Sequence, residues 1–117
     1  MYDFYWYPKC STCKKAKAKL DELALDYRMI DLKQTPPTSE QFKSWFAQGE
    51  FLTKQFFNMS GLVYRELGLK DKLAQMTETE LAELLASNGM LVKRPLLVKE
   101  GKVLRIGFKE ADYESLK

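Results

Sequence analysis

Histidine is absent from this chain of 117 residues, and that gap removes several chemistries at once. No Ser–His triad, histidine general base or histidine metal ligand can be built. Long apolar runs are also missing. No stretch approaches the roughly 18 apolar residues that a membrane-spanning helix needs, so no membrane role is expected. The opening run Met1-Tyr2-Asp3-Phe4-Tyr5-Trp6-Tyr7 lacks a basic n-region and meets Pro8 and Lys9 too early for a secretory signal, which makes the cytoplasm the expected location. Charge of one sign is lacking too: 19 Lys and Arg stand against 16 Asp and Glu, spread along the chain, for a net +3. Such a balance is too mild and too mixed for direct nucleic-acid recognition. Cysteine is scarce, with 2 residues, whereas a structural zinc site takes about four Cys or His ligands. No metal and no bound cofactor are expected.

What remains is a chain of the size of one domain with a single core. Residues 2 to 7 are nearly all aromatic, which favours an extended strand ended by Pro8. From Ser11 to about Ala24 the chain is rich in Lys, Ala, Leu and Glu. Cys13, Ala16, Leu20 and Leu23 recur at steps of three and four, the pattern of an amphipathic helix with Cys13 on its inner face. Tyr27 to Leu32 reads as a second strand, close enough behind the helix for a parallel βαβ unit. Thr38 with Gln41, and Thr77 with Glu80, form capping-box patterns that open two helices, and Gly49 and Asn88-Gly89 are the expected stops. Between them, Leu62 to Leu67 predicts a short helix that stops near Gly68. Leu96-Leu97-Val98 and Val103-Leu104-Arg105-Ile106 flank a Gly-containing turn and predict a hairpin, followed by a helix over Lys109 to Leu116. The order is β-α-β, then helices, then β-β-α. It predicts an α/β chain of thioredoxin-like fold with a mixed sheet: one domain over 1–117, made of a βαβ half (1–35) with the Cys pair, an all-helical insertion (36–90) and a ββα half (91–117).

Cys10-Ser11-Thr12-Cys13 places one thiol at a helix N-terminus and the second one turn inside. Unpaired backbone N–H groups and the helix dipole favour negative charge there, so Cys10 is the expected nucleophile. Lys14 and Lys15 add positive charge nearby, weakened by exposure. Cys13 suits a resolving thiol, because an intramolecular thiolate can displace an adduct in a unimolecular step. The alternatives are two inert buried thiols or a stabilising disulfide, although a loop this short constrains an unfolded chain little. Arg94-Pro95, just before the third strand, is expected to be cis and to face Cys10.

Three segments together carry a family resemblance. They are Tyr7-Pro8-Lys9-Cys10-Ser11-Thr12-Cys13-Lys14-Lys15-Ala16, Ser60-Gly61-Leu62-Val63-Tyr64-Arg65-Glu66-Leu67, and Lys93-Arg94-Pro95-Leu96-Leu97-Val98. Over essentially its whole length the chain resembles the arsenate reductase-related family that also contains the Spx-type transcriptional regulators. The resemblance implies a thioredoxin-like fold and a catalytic or sensing thiol at Cys10. It also implies a thiol-dependent reductase served by an external donor, glutathione with glutaredoxin or thioredoxin. Arg94 matches one of the basic residues that hold the oxyanion, and Ser11, Thr12, Lys14, Arg94 and Pro95 are the expected substrate-side residues. The family's reductases have His-Asn where this chain has Trp6-Tyr7 and an Arg where it has Ser60, and a further Arg aligns with Arg105 only after a shift. These departures argue against arsenate itself as the substrate. The Cys-X-X-Cys pair is shared with the regulators, in which it is a redox switch controlling binding to the RNA polymerase α subunit. A thiol-disulfide oxidoreductase and a redox-sensing regulator are therefore both expected readings.

Two other features are assigned to structure. Phe42, Trp45, Phe46, Phe51, Phe56 and Phe57 have the spacing of a core, and Lys14, Lys15, Lys17 and Lys19 that of a solvated helix face.

Overall fold

The computed structural model describes residues 1–116; Lys117, the last residue of the expected domain span, lies outside them. In chain order the elements are β1 (Tyr2–Trp6), α1 (Ser11–Glu22), β2 (Tyr27–Asp31), α2 (Ser39–Gln48), α3 (Leu62–Glu66), α4 (Glu78–Ser87), β3 (Leu96–Lys99), β4 (Lys102–Ile106) and α5 (Glu110–Glu114), with short 3-10 turns between α2 and β3. Two compact units result: Met1–Asp31 with the segment that begins at Arg94, and Leu32–Lys93. None of the helices among the described residues is long and apolar enough to cross a membrane.

The first unit is a four-stranded mixed sheet in the order β2-β1-β3-β4, the thioredoxin-like α/β arrangement. β1 runs parallel to β2, with Tyr2 opposite Tyr27, and antiparallel to β3, with Tyr5 opposite Leu96. A parallel pair needs a crossover, and α1 supplies it. Ala16 and Leu20 bury one face of α1 against Phe4, Leu97 and Tyr113, with Trp6 and Phe108 packed around them. Each large apolar side chain sealed this way contributes about 1.5–3 kcal/mol. The helix ends before the expected Ala24, because Leu23 caps it and Ala24 turns to φ 57. In the β3–β4 turn both Glu100 and Gly101 take positive φ, 54 and 78, the conformation that matches strand twist in a two-residue hairpin loop.

The second unit is helical. Both capping boxes form: Thr38 Oγ1 accepts from the Gln41 N–H at 3.1 Å and Thr77 Oγ1 from the Glu80 N–H at 3.1 Å, each reciprocated by the longer side chain. Phe42, Trp45, Phe46, Phe56 and Phe57 are buried, with Phe42 edge-on to Trp45 at 5.3 Å and Trp45 stacked on Phe56 at 6.3 Å. The core assignment holds for these rings, while Phe51 is only half-buried.

α4 ends at Ser87, where Asn88-Gly89 is expected to stop it, and Asn88 is extended rather than left-handed and caps the short 3-10 turn that follows, its side chain accepting from the Met90 N–H at 2.9 Å. Gly89 is required for another reason, since a Cβ there would sit 1.7 Å from the Leu32 carbonyl oxygen. The same unit has an open apolar cleft of about 580 Å³ lined by Leu52, Met59, Tyr64, Leu73 and Leu81.

Candidate active site

The site is assembled where β1, the start of α1 and the entrance to β3 meet. Pro8 and Lys9 make a turn after β1, closed by the Cys10 N–H donating to the Tyr7 carbonyl at 3.0 Å. Cys10 then takes the N-cap position of α1, extended at φ −92 and ψ 119. An N-cap normally offers a side-chain oxygen to the orphan N–H groups of the first turn. Here the acceptor is sulfur: the Cys13 N–H donates to Cys10 Sγ at 3.4 Å.

Both cysteines are free thiols, Cys10 half-buried and Cys13 fully buried. Their environments push them apart. Partial burial raises the Cys10 thiol, but the backbone N–H and thiol of Cys13 and the guanidinium of Arg94 outweigh it and leave Cys10 below its ordinary value. The Cys13 thiol is pushed up to about 12, first by burial and then by its neighbour Cys10, against the opposing N–H of Tyr7 and charge of Arg94. Cys10 is thus the more readily ionised of the two thiols, and Cys13 keeps its proton. Lys14 and Lys15 are exposed, and the positive charge acting on Cys10 comes from Arg94.

Arg94 acts on the thiol from the entrance to β3, the strand beside β1, and is half-buried there. The Arg94–Pro95 bond is cis, as the sequence predicts, and Pro95 is buried beside it. The guanidinium carbon lies over the Tyr7 ring, 5.5 Å from its centroid. Ser11 and Thr12 are exposed on the first turn of α1, next to Lys14. The structure therefore brings Cys10, Cys13 and Arg94 together, with Pro95 adjoining.

Other residues fall elsewhere. Arg105 donates to the carbonyls of Leu104 and Asp112 and to the Ser115 hydroxyl, which commits it to holding α5. Ser60 is exposed and hydrogen-bonds Asn58. Lys19 departs from the solvated-face reading: it is buried, with Glu114 at 3.1 Å, Glu22 at 3.4 Å and Glu110 at 3.6 Å. The sequence reading did not single out Tyr7, because only the pairing of β1 with β3 brings it to the strand entrance where Arg94 lies.

Comparison with known proteins agrees with this fold. A family model described as ArsC family matches residues 5–116. The uncharacterized protein YusI of Bacillus subtilis (strain 168) is 49% identical over 111 residues, which is 95% of this chain and 93% of YusI. The global transcriptional regulator Spx of Enterococcus faecalis is 28% identical over 110 residues, 94% of this chain and 81% of that regulator. Among solved structures, a possible arsenate reductase from Streptococcus mutans UA159 aligns with a TM-score of 0.95 at 56% identity, covering 99% of this chain and 97% of that one.

Proposed function

The chain belongs to the ArsC family, and we propose that it works in the cytoplasm as a thiol-disulfide oxidoreductase with Cys10 as nucleophile and Cys13 as resolving thiol. The observation that carries this reading is the contrast between the two thiols: an accessible sulfur held below its ordinary pKa by Arg94 and a helix N–H, beside a buried one held at about 12. In the first step the Cys10 thiolate attacks a substrate disulfide, forming a Cys10–substrate mixed disulfide and releasing the other half as a thiolate. Cys13 then loses its proton and attacks Cys10 Sγ, closing a Cys10–Cys13 disulfide and releasing the second substrate thiolate. Two electrons have moved from the pair to the substrate, and an external thiol donor, glutathione with glutaredoxin or thioredoxin, returns them. Substrate would lie against Ser11, Thr12 and Lys14 on one side and Arg94 and Pro95 on the other. Arsenate suits this site poorly: Arg94 is a single guanidinium, Arg105 is engaged with α5, and Ser60 carries no charge.

The test is turnover of a small disulfide in the presence of a thiol donor. Activity that disappears in Cys10→Ser supports the reading, and its absence from the reduced wild-type protein with every donor tried would sink it.

A second reading, a redox-sensing regulator that binds the RNA polymerase α subunit, is favoured by the similarity to Spx. Binding of the α C-terminal domain that depends on the oxidation state of the Cys pair, with no disulfide turnover, would select it.

A further inference from the structure

Tyr7 touches every member of the site. Its carbonyl accepts from the Cys10 N–H at 3.0 Å, its N–H acts on the Cys13 sulfur, and its ring lies beneath the Arg94 guanidinium at 5.5 Å. The first two contacts belong to the backbone and survive any substitution at this position. The third belongs to the side chain alone. We propose that Tyr7 is the positioning residue of the site: the face of its ring carries the Arg94 guanidinium and holds it against Cys10 Sγ. The inference rests on the reading of Cys10 as the nucleophile.

Three arguments support it. The register of β1 on β3 runs Asp3 opposite Val98, Phe4 opposite Leu97 and Tyr5 opposite Leu96. Tyr7 leaves β1 at the end of the sheet where Arg94 enters β3, and there the ring and the guanidinium meet at 5.5 Å. The second argument concerns freedom. An arginine side chain has many rotamers, and a flat aromatic face limits a flat guanidinium to a few stacked orientations, leaving its N–H edge for another acceptor. The third concerns what the edge meets: Arg94 hydrogen-bonds Cys10 and contributes positive charge to it. The groups that act on Cys10 are then Cys13 from α1 and Arg94 from the β3 entrance, with Lys9 and Lys14 exposed on either side of it in the chain. A ring that orients Arg94 tunes the nucleophile without touching it.

The experiment follows the Cys10 thiolate in the reduced full-length protein by ultraviolet absorbance against pH. It compares wild type, Tyr7→Leu, Tyr7→Met and Tyr7→Phe, each also in an Arg94→Met background, with folding checked by circular dichroism. Loss of the ring is expected to raise the midpoint by about half a unit, roughly a threefold smaller thiolate fraction below the midpoint. Tyr7→Phe keeps the ring face and should stay at the wild-type midpoint, and in Arg94→Met the Tyr7 variants should add nothing. The proposal is overturned if the Leu and Met variants leave the midpoint where it is, if Phe shifts it as far as Leu, or if the shift persists without Arg94. Two variants guard against one that does not fold. A wild-type midpoint at the ordinary thiol value would overturn the nucleophile reading itself. A low midpoint insensitive to Tyr7 overturns the positioning role alone.

Discussion

The backbone N–H of Cys13 donates to Cys10 Sγ across 3.4 Å, so the nucleophile's own sulfur caps the helix whose N-terminus activates it. A thiolate accepts such a bond better than a thiol, and folding and ionisation therefore favour each other at this one atom. Because Cys10 is held below its ordinary value, its contribution to stability is present above that value and fades as pH falls through the folded one. The accompanying expectation is kinetic. At about pH 7, iodoacetamide should modify Cys10 several times faster than an ordinary thiol of pKa about 8.5, while Cys13, buried and held at about 12, stays unmodified. Peptide mapping by mass spectrometry over a pH series reads both. Equal rates at the two cysteines would contradict the assigned roles.

Arg94 supplies the positive charge that acts on the Cys10 sulfur. A hydrogen bond to a charged group is worth about 1.5–3 kcal/mol, and the partial exposure of Cys10 reduces this through solvent screening. Arg94→Gln should therefore raise the Cys10 midpoint by about one unit, or about 1.4 kcal/mol. Arg94→Lys should recover only part of that, because an ammonium keeps the charge but not the flat fork that stacks on Tyr7. Alkylation rates at constant pH compare the three proteins directly. Full recovery by Lys would show that charge alone matters.

Gly89 offers a separate test of the fold. A methyl group there would meet the Leu32 carbonyl oxygen at 1.7 Å, backbone against backbone, so the chain must move. At Gly49, φ is 78 and the nearest atom to an added Cβ is 3.9 Å away, leaving only the left-handed penalty. We expect Gly49→Ala to cost about 1–2 kcal/mol and Gly89→Ala about 3 kcal/mol or more, the upper end of overpacking. Urea unfolding of the two variants gives the comparison, and a Gly89→Ala protein as stable as Gly49→Ala would mean that α4 and its neighbours yield freely.

That contrast marks where local reading stops. Thr38 with Gln41 and Thr77 with Glu80 were legible because a capping box is complete within four residues, and the β-α-β and hairpin segments because their periodicity is local. The Cys pair and Arg94 were legible as residue types whose neighbours in the chain define a helix N-terminus and a strand entrance. Asn88-Gly89 was legible as the stop of α4, but the need for glycine at 89 lies in a carbonyl from Leu32, far away in sequence. Lys19 looked like one of four lysines on a wet face, but Glu110 and Glu114 come from the other end of the chain to surround it. Tyr7 required the register of β1 on β3, which no single segment contains. Each of these three is a tertiary contact.

The order of events at the pair is itself testable. Burial is the largest influence holding Cys13 at about 12, and the next is Cys10, through both its hydrogen bond and its negative charge. Once Cys10 is consumed in a mixed disulfide, that charge is gone and the bond to a thiolate acceptor is lost, while the Tyr7 N–H and Arg94 still favour a Cys13 thiolate. Cys13 thus becomes easier to ionise only after Cys10 has reacted, and cannot compete with it beforehand. Removing the Cys10 sulfur imitates this step without a substrate. In Cys10→Ala, the Cys13 midpoint should fall below about 12, remaining above an ordinary thiol because burial persists, and its alkylation at alkaline pH should speed up relative to wild type. The linkage follows the same sign: a raised thiol stabilises the folded chain below its ordinary value and loses that contribution as pH rises through the folded one, so the wild-type protein should lose more stability on the alkaline side than Cys13→Ala. Thiol titration of Cys10→Ala, read beside urea unfolding of Cys13→Ala, checks both halves. A Cys13 midpoint that does not move when Cys10 is removed would mean that burial alone sets it and that the reaction order must come from geometry.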